Sequence, residues 1–286
     1  MGNEEEIGLK ILKLNCIPPL PETAQQTLVA INDPDIDISK LVNVLSKSPE
    51  LTGRLIGLAN SAYFGHAGKI LTLEQAIIRV LGLSFVKSIT YGIVFNDVID
   101  TSNCKQFDTK QFWFCSFVTG ALMEKLNRFV QTDEKIENTV AYTSGLLLHI
   151  GLLAMVSTEP KRMHEIFSKA AEDEQGLTPL IKEAYGLDHY YLGALLMDHW
   201  KLPTLYTTLL QEYSNQDYLG KYAPVLHLLR AISPLAKQLY FQPDAEFSLA
   251  GIPEIGVTVE NMKTVFDVIQ SKASDIEELA GILVGG

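Results

Sequence analysis

Apolar residues recur at three- and four-residue spacing along almost the whole chain, and this helical repeat constrains the fold more than any other feature. Asp37 can cap a helix whose apolar positions Ile38, Leu41, Val42 and Leu45 share one face. Ser48-Pro49 reads as a cap followed by proline in the first turn, opening a helix with Leu51, Leu55, Leu58 and Ala59 inward. Thr72 and Gln75 form a capping box ahead of Leu73, Ile77, Val80 and Leu81, with Gly82 as the stop. Asp108 and Gln111 repeat the device before FWFCSFVTGALMEKL. Thr178-Pro179 and Asp188 start two further helices, the second running through Gly193 to Trp200. Ser274 and Glu277 box a last one, with Ile276, Leu279, Ala280 and Leu283 inward. Only Gly251 to Val259 (GIPEIGVTV) carries strand-like punctuation, and it serves equally well as a loop. The expected architecture is all-α. A polar seam over residues 96–110 suggests two packed helical bundles, 1–105 and 106–286, the second the larger.

Composition narrows the partners. The 23 Lys+Arg against 34 Asp+Glu leave a formal net charge of −11. That balance opposes nucleic acid, whose phosphates must be neutralised by Lys and Arg, and it opposes anionic lipid. At 286 residues and 47% hydrophobic, the chain can build a core without disulfides or a structural metal. The start, MGNEEEIGLKILKLN, is acidic and then amphipathic, unlike a secretory signal, and Glu4-Glu5-Glu6 suits a solvated helix beginning. Cys16, Cys104 and Cys115 are odd in number and lack CxxC spacing, so reduced thiols and a cytoplasmic setting are expected.

Residues 139–158 (TVAYTSGLLLHIGLLAMVST) carry no fixed charge, and about twenty such residues can span a bilayer. The strongly apolar part runs only from Leu146 to Val156, broken by His149 and Gly151 and flanked by Glu137 and Glu159. A helix apolar all round is also what the centre of a helical bundle needs. A buried core helix is expected here, with no membrane insertion.

No nucleophile or phosphate-loop pattern occurs: GxSxG, GxxxxGK[ST], GxGxxG and HExxH are all missing. Asp188-His189 and Asp198-His199 look like carboxylate–imidazole pairs, yet helical neighbours point about 100° apart. His189 and His199 lie about 15 Å apart along a helix, too far for one metal shell. His149 stands alone in an apolar run, where a core histidine is the ordinary reading. Gly145, Gly151 and Gly193 suit close helix packing. Trp113 and Trp200 read as core anchors, and Cys115 as a small buried hydrophobe.

Two stretches carry a family resemblance. The first holds Pro18-Pro19-Leu20-Pro21, the Asn32-Asp33-Pro34 turn, Ser48-Pro49, Leu58 to Gly65 (LANSAYFG), Gln75-Ala76-Ile77 and Leu81-Gly82. The second holds FDTKQFWFCSFVTGAL, AYTSGLLLHIGLLAM and EAYGLDHYYLGALLMDHWKLP. Together they resemble the HDOD family, the HD-related output domain of bacteria, over roughly residues 14–240, leaving the tail 241–286 unmatched. The resemblance implies an HD-like larger bundle and kinship with HD phosphohydrolases and HD-GYP phosphodiesterases. Those enzymes use His and Asp to hold divalent metal, which activates water and steadies phosphoryl charge.

Here the ligand positions implied by the resemblance are degenerate. Phe114-Cys115-Ser116 follows Trp113 where relatives carry histidine, and Leu148-His149 stands where relatives carry His-Asp. Leu210-Gln211-Glu212-Tyr213 replaces the paired histidines of HD-GYP relatives, while His189 survives. No catalytic residue, metal or cofactor is therefore expected. The resemblance implies a non-catalytic signal-transduction module that binds a signalling protein in trans, or a nucleotide-like ligand. Asn60, Ser61, Tyr63, Phe64, Trp113 and His189 are its binding candidates. For Asn60 and Ser61 the ordinary alternative is that they close the preceding helix. The alternative function is a metal-dependent phosphohydrolase with an unorthodox site of His149, Asp188 and His189, acting on phosphomonoesters or cyclic dinucleotides.

Overall fold

The fold begins where side-chain oxygens satisfy the free amides at helix starts. The computed structural model describes residues 19–132, 135–171, 176–244, 246–248 and 255–285. Glu4-Glu5-Glu6, Cys16, Pro18 and the first part of GIPEIGVTV lie outside the described residues. Asp37 accepts from Lys40 N at 2.8 Å, and Ser48 Oγ accepts from Leu51 N at 3.2 Å with Pro49 in the first turn. These caps open α2 (Ile38–Leu45) and α3 (Pro49–Ala59); α1 (Glu22–Asn32), before them, follows Pro21 without a side-chain cap.

Next come a 3-10 turn (Ala62–Phe64), a π-helical segment (Ala76–Leu81) and α4 (Gly82–Val98). Then follow α5 (Thr109–Asn127), α6 (Asn138–Leu146), α7 (Ile150–Thr158), α8 (Pro160–Ala170) and α9 (Leu177–Tyr185). The remaining helices are α10 (His189–His199), α11 (Thr204–Gln211), α12 (Ala223–Phe241), α13 (Val259–Gln270) and α14 (Ala273–Val284). All regular elements among the described residues are helical, as the periodicity predicts.

Gly82 ends the Ala76–Leu81 segment as read: at φ 75° it turns the backbone, and α4 starts afresh there, sending Val86, Ile89, Ile93 and Phe95 into the core. Two local expectations need correction. The last helix starts at Ala273 with no side-chain cap, so Ser274 and Glu277 do not box it. Its inward face of Ile276, Leu279, Ala280 and Leu283 is nonetheless as read. The described end of GIPEIGVTV is loop over 255–258, as the second of its two readings had it, and Thr258 and Asn261 make a reciprocal capping box that opens α13. The charge-free run is two helices, α6 and α7, separated by a turn at 147–149.

Among the described residues, two segments are long and apolar enough to cross a bilayer by length and composition, Leu73–Val98 and Asn138–Thr158. The second is 83% buried within the protein, which is the behaviour of a core element.

The helices sort into two compact units. One comprises Asp97–Thr109 and Leu147–Tyr218, with the described residues before Pro21. The other comprises the described parts of Pro21–Asn96, Lys110–Leu146 and Leu219–Gly286. This sorting does not follow a cut at 105/106, because the C-terminal helices join the N-terminal ones. A methyl at Gly57 of α3 would lie 3.2 Å from Ile282 Cγ2, and Gly92 of α4 meets both Trp113 and Leu283. In the same unit Gly145 lies so close to the α5 backbone that a Cβ would stand 2.6 Å from Thr119 O.

Candidate functional site

Asp188 sets the geometry of the histidine region. Its Oδ1 accepts from Tyr191 N at 2.8 Å, capping α10, and its Oδ2 accepts from Ser214 Oγ at 2.5 Å. His189 is thereby fixed as the first residue of α10, buried at 2% exposure. His149 ends the 147–149 turn and precedes α7. Helices α7 and α10 cross on glycine: a Cβ at Gly151 would fall 1.9 Å from His189 O and 2.7 Å from Gly193 N. With no side chains between them the backbones touch, and His149 Nδ1 comes within 3.0 Å of His189 Nε2.

One nitrogen of this pair donates and the other accepts, the assignment resting on tautomer. The two rings lie 20° from parallel with centroids 5.3 Å apart. Tilted ring contacts continue from His189 to Tyr190 at 3.9 Å and from Tyr190 to Tyr213 at 4.1 Å between centroids. Burial pushes the Tyr190 phenol well above its ordinary value, Tyr213 adds to the rise, and a hydrogen bond with Thr178 opposes it.

An HD-type divalent centre needs several oxygen and imidazole donors converging on one point. The residues present do not fit one. Leu148 is fully buried and offers no lone pair. The two imidazoles bond each other, and both oxygens of Asp188 are engaged. Cys115 belongs to the other unit, with its Sγ 3.8 Å from Ala236 O; it is half-buried rather than enclosed. Among the described residues no three His, Cys, Asp or Glu side chains group so as to hold a metal ion.

The binding candidates are divided between the units: His189 belongs to one, and Asn60, Ser61, Tyr63, Phe64 and Trp113 to the other. Asn60 follows α3 and is structural. Its Nδ2 donates to Ile56 O and Ile70 O, and its Oδ1 accepts from Ile70 N, each at 2.9 Å. Buried Ser61 donates to Leu58 O at 2.7 Å. Trp113 is fully buried, its Nε1 donating to Asn96 Oδ1 at 2.9 Å.

Tyr63 and Phe64 differ from these. Both are half-buried and head an edge-to-face series with centroid distances of 5.1 Å to each other, 5.2 Å from Phe64 to Phe85, and 5.6 Å from Phe85 to Tyr142. The Lys272 ammonium sits 4.7 Å from the Tyr63 ring centre. Burial pushes the Tyr63 phenol up, and the carboxylates of Glu124 and Asp275 add to that. Phe85 and Lys272 in one region, and Ser214 in the other, have no signature in the sequence, and Tyr142, Tyr190 and Tyr213 lie in motif stretches that do not single them out. Their positions follow from tertiary packing alone.

Comparison with known proteins agrees with this architecture. A profile of the HDOD domain matches residues 17–216. The chain belongs to the HDOD family. Among solved structures, a Shewanella amazonensis protein provisionally named a phosphohydrolase superposes with TM-score 0.77 at 23% identity, covering 97% of each chain. An HDOD domain protein of unknown function from Geobacter sulfurreducens gives 0.71 at 17% identity, covering 98% of each. A protein from Marinobacter aquaeolei provisionally named a signal transduction protein gives 0.79 at 20% identity, covering 99% of this chain and 66% of that one. An uncharacterized protein of Treponema pallidum is 27% identical over 193 residues, 67% of this chain but only 36% of the relative. The chain therefore spans about a third of that curated relative, and these likenesses establish family and fold.

Proposed function

We propose that this HDOD chain is a non-catalytic signal-transduction module of the bacterial cytoplasm, acting by capture of a partner protein. The observation that carries the reading is the state of the histidine region. The groups that would serve a metal-activated water are bonded to one another or to helix caps, and one ligand position is leucine. The surface best suited to capture is the one headed by Tyr63 and Phe64, whose rings stay half open while the neighbouring polar groups hold the backbone. Amphipathic aromatic rings beside an exposed lysine suit protein recognition; a nucleotide-like ligand is the second class such rings accept. Tyr63→Ala is expected to abolish partner capture from a native cytosol while unfolding stays cooperative, and unaltered capture speaks against this surface.

A second reading has one observation in its favour, the meeting of His149 and His189. On that reading the chain is a metal-dependent phosphohydrolase using both imidazoles with Asp188. Metal content after equilibration with Mn, Fe or Mg, together with turnover of phosphomonoesters and cyclic dinucleotides, decides between the two. The non-catalytic reading expects neither stoichiometric metal nor turnover. Turnover that disappears in His149→Ala overturns it.

A further inference from the structure

Helices α1 and α2 form an antiparallel hairpin with an open groove of about 770 Å³ along its outer face. The hairpin's own core is already made on the opposite side, where Leu28, Ile31, Leu41 and Leu45 are buried. Val29, 72% exposed, lines the groove from α1, and Val44 lines it from α2.

The charges along the groove are sorted by helix. Glu22 and Asp33 lie on or just beyond α1, whereas Lys40 and Lys47 lie on or just beyond α2. The register is fixed at both ends. Lys47 Nζ donates to Gln26 Oε1 at 3.1 Å, so Glu22 and Lys47 share one end. The short 33–37 connection places Asp33 and Lys40 at the other.

We propose that this face is the docking surface for a second copy of the chain, related by a two-fold axis running along the hairpin. Such an axis lays α1 of one copy over α2 of the other at the same level. Glu22 then faces Lys47 of the second copy, Asp33 faces Lys40, and Val29 meets Val44, with every contact made twice. The pattern is its own complement, as an isologous interface requires. A groove with both signs scattered over each helix lacks this property. The present partners of the two lysines, Asp37 and Gln26, are exposed, so the exchange costs little.

The test is the molar mass of the full chain by light scattering and sedimentation equilibrium, from low to high micromolar concentration. A monomer–dimer equilibrium is expected, weakening about tenfold as ionic strength rises from about 0.05 to 0.5 M, because exposed charges are screened. Val29→Glu should weaken the dimer by at least about tenfold, since it buries an unpaired carboxylate. Glu22→Lys and Lys47→Glu should each weaken it. The double variant E22K/K47E restores the facing charges and should recover most of the affinity. Native helicity by circular dichroism confirms that each variant is folded. A wild-type chain that stays monomeric throughout overturns the proposal. So does a dimer indifferent to Val29→Glu, or a double variant no better than the worse single one.

Discussion

The His149–His189 contact and the turn at residues 60–64 both gather polar and aromatic side chains, and they use them in opposite ways. At the histidines the polar atoms are turned inward on one another, under a helix crossing so close that only glycine fits at Gly151. At the turn the polar atoms are spent on backbone, while the Tyr63 and Phe64 rings remain half open. The region that looks chemical has its polar atoms paired, and the region that looks like a helix ending leaves two aromatic rings half open. Residue type alone does not separate these roles; what decides them is the partner each polar atom has found.

The sharpest way to break the comparison is at the crossing. Gly151→Ala puts a methyl into the α10 backbone rather than against a yielding side chain, and should cost about 3–5 kcal/mol or prevent folding. Urea unfolding reads the loss. Gly193→Ala meets the end of Leu210 at 2.6 Å, a contact able to shift, so its cost should be smaller. At the turn, Asn60→Ala leaves both the N–H and the C=O of Ile70 without their side-chain partner, which should cost about 1–3 kcal/mol. Faster amide exchange at Ile70 is the local signature.

The histidine contact is measured by a double-mutant cycle of His149→Ala and His189→Ala. Contacting residues couple by about 0.5–3 kcal/mol, and strictly additive losses would show that the pair contributes nothing as a pair. The smallest effect is in alkali. Burial raises Tyr190 well above 10.0, and burial with two carboxylates raises Tyr63 above 10.0. Each phenol keeps its proton longer folded than unfolded, so the stability it supports is complete below pH 10 and is lost as pH rises beyond it. Tyr190→Phe should flatten that alkaline decline more than Tyr63→Phe, as followed by thermal melting across that range.

Much of the fold was legible because its signals are local. Asp37, Ser48 and Asp188 cap helices as their sequence positions predict, since a cap needs only its own side chain and an amide two or three residues on. Glycines Gly145, Gly151 and Gly193 were legible as close-packing positions, though not which helices they would join. Gly82 was legible as a stop, though not that a second helix would start at the same residue. The partnership of the C-terminal helices with α3 and α4 leaves no mark in periodicity, because it depends on contacts between residues far apart in sequence. Tyr213 reached the histidine region for the same reason: nothing near it in the chain announces the stack.

The seat of α14 has a consequence in time. Gly57 waits for Ile282, and Gly92 for Leu283, before their surroundings are complete. At roughly 5–20 residues per second of synthesis, some ten to forty-five seconds separate the emergence of Gly57 from that of Ile282. During that interval the early helices present bare apolar seams to the cell. Helix α14 acts as a closing clasp over those seams, and a chain interrupted before it lacks that seal.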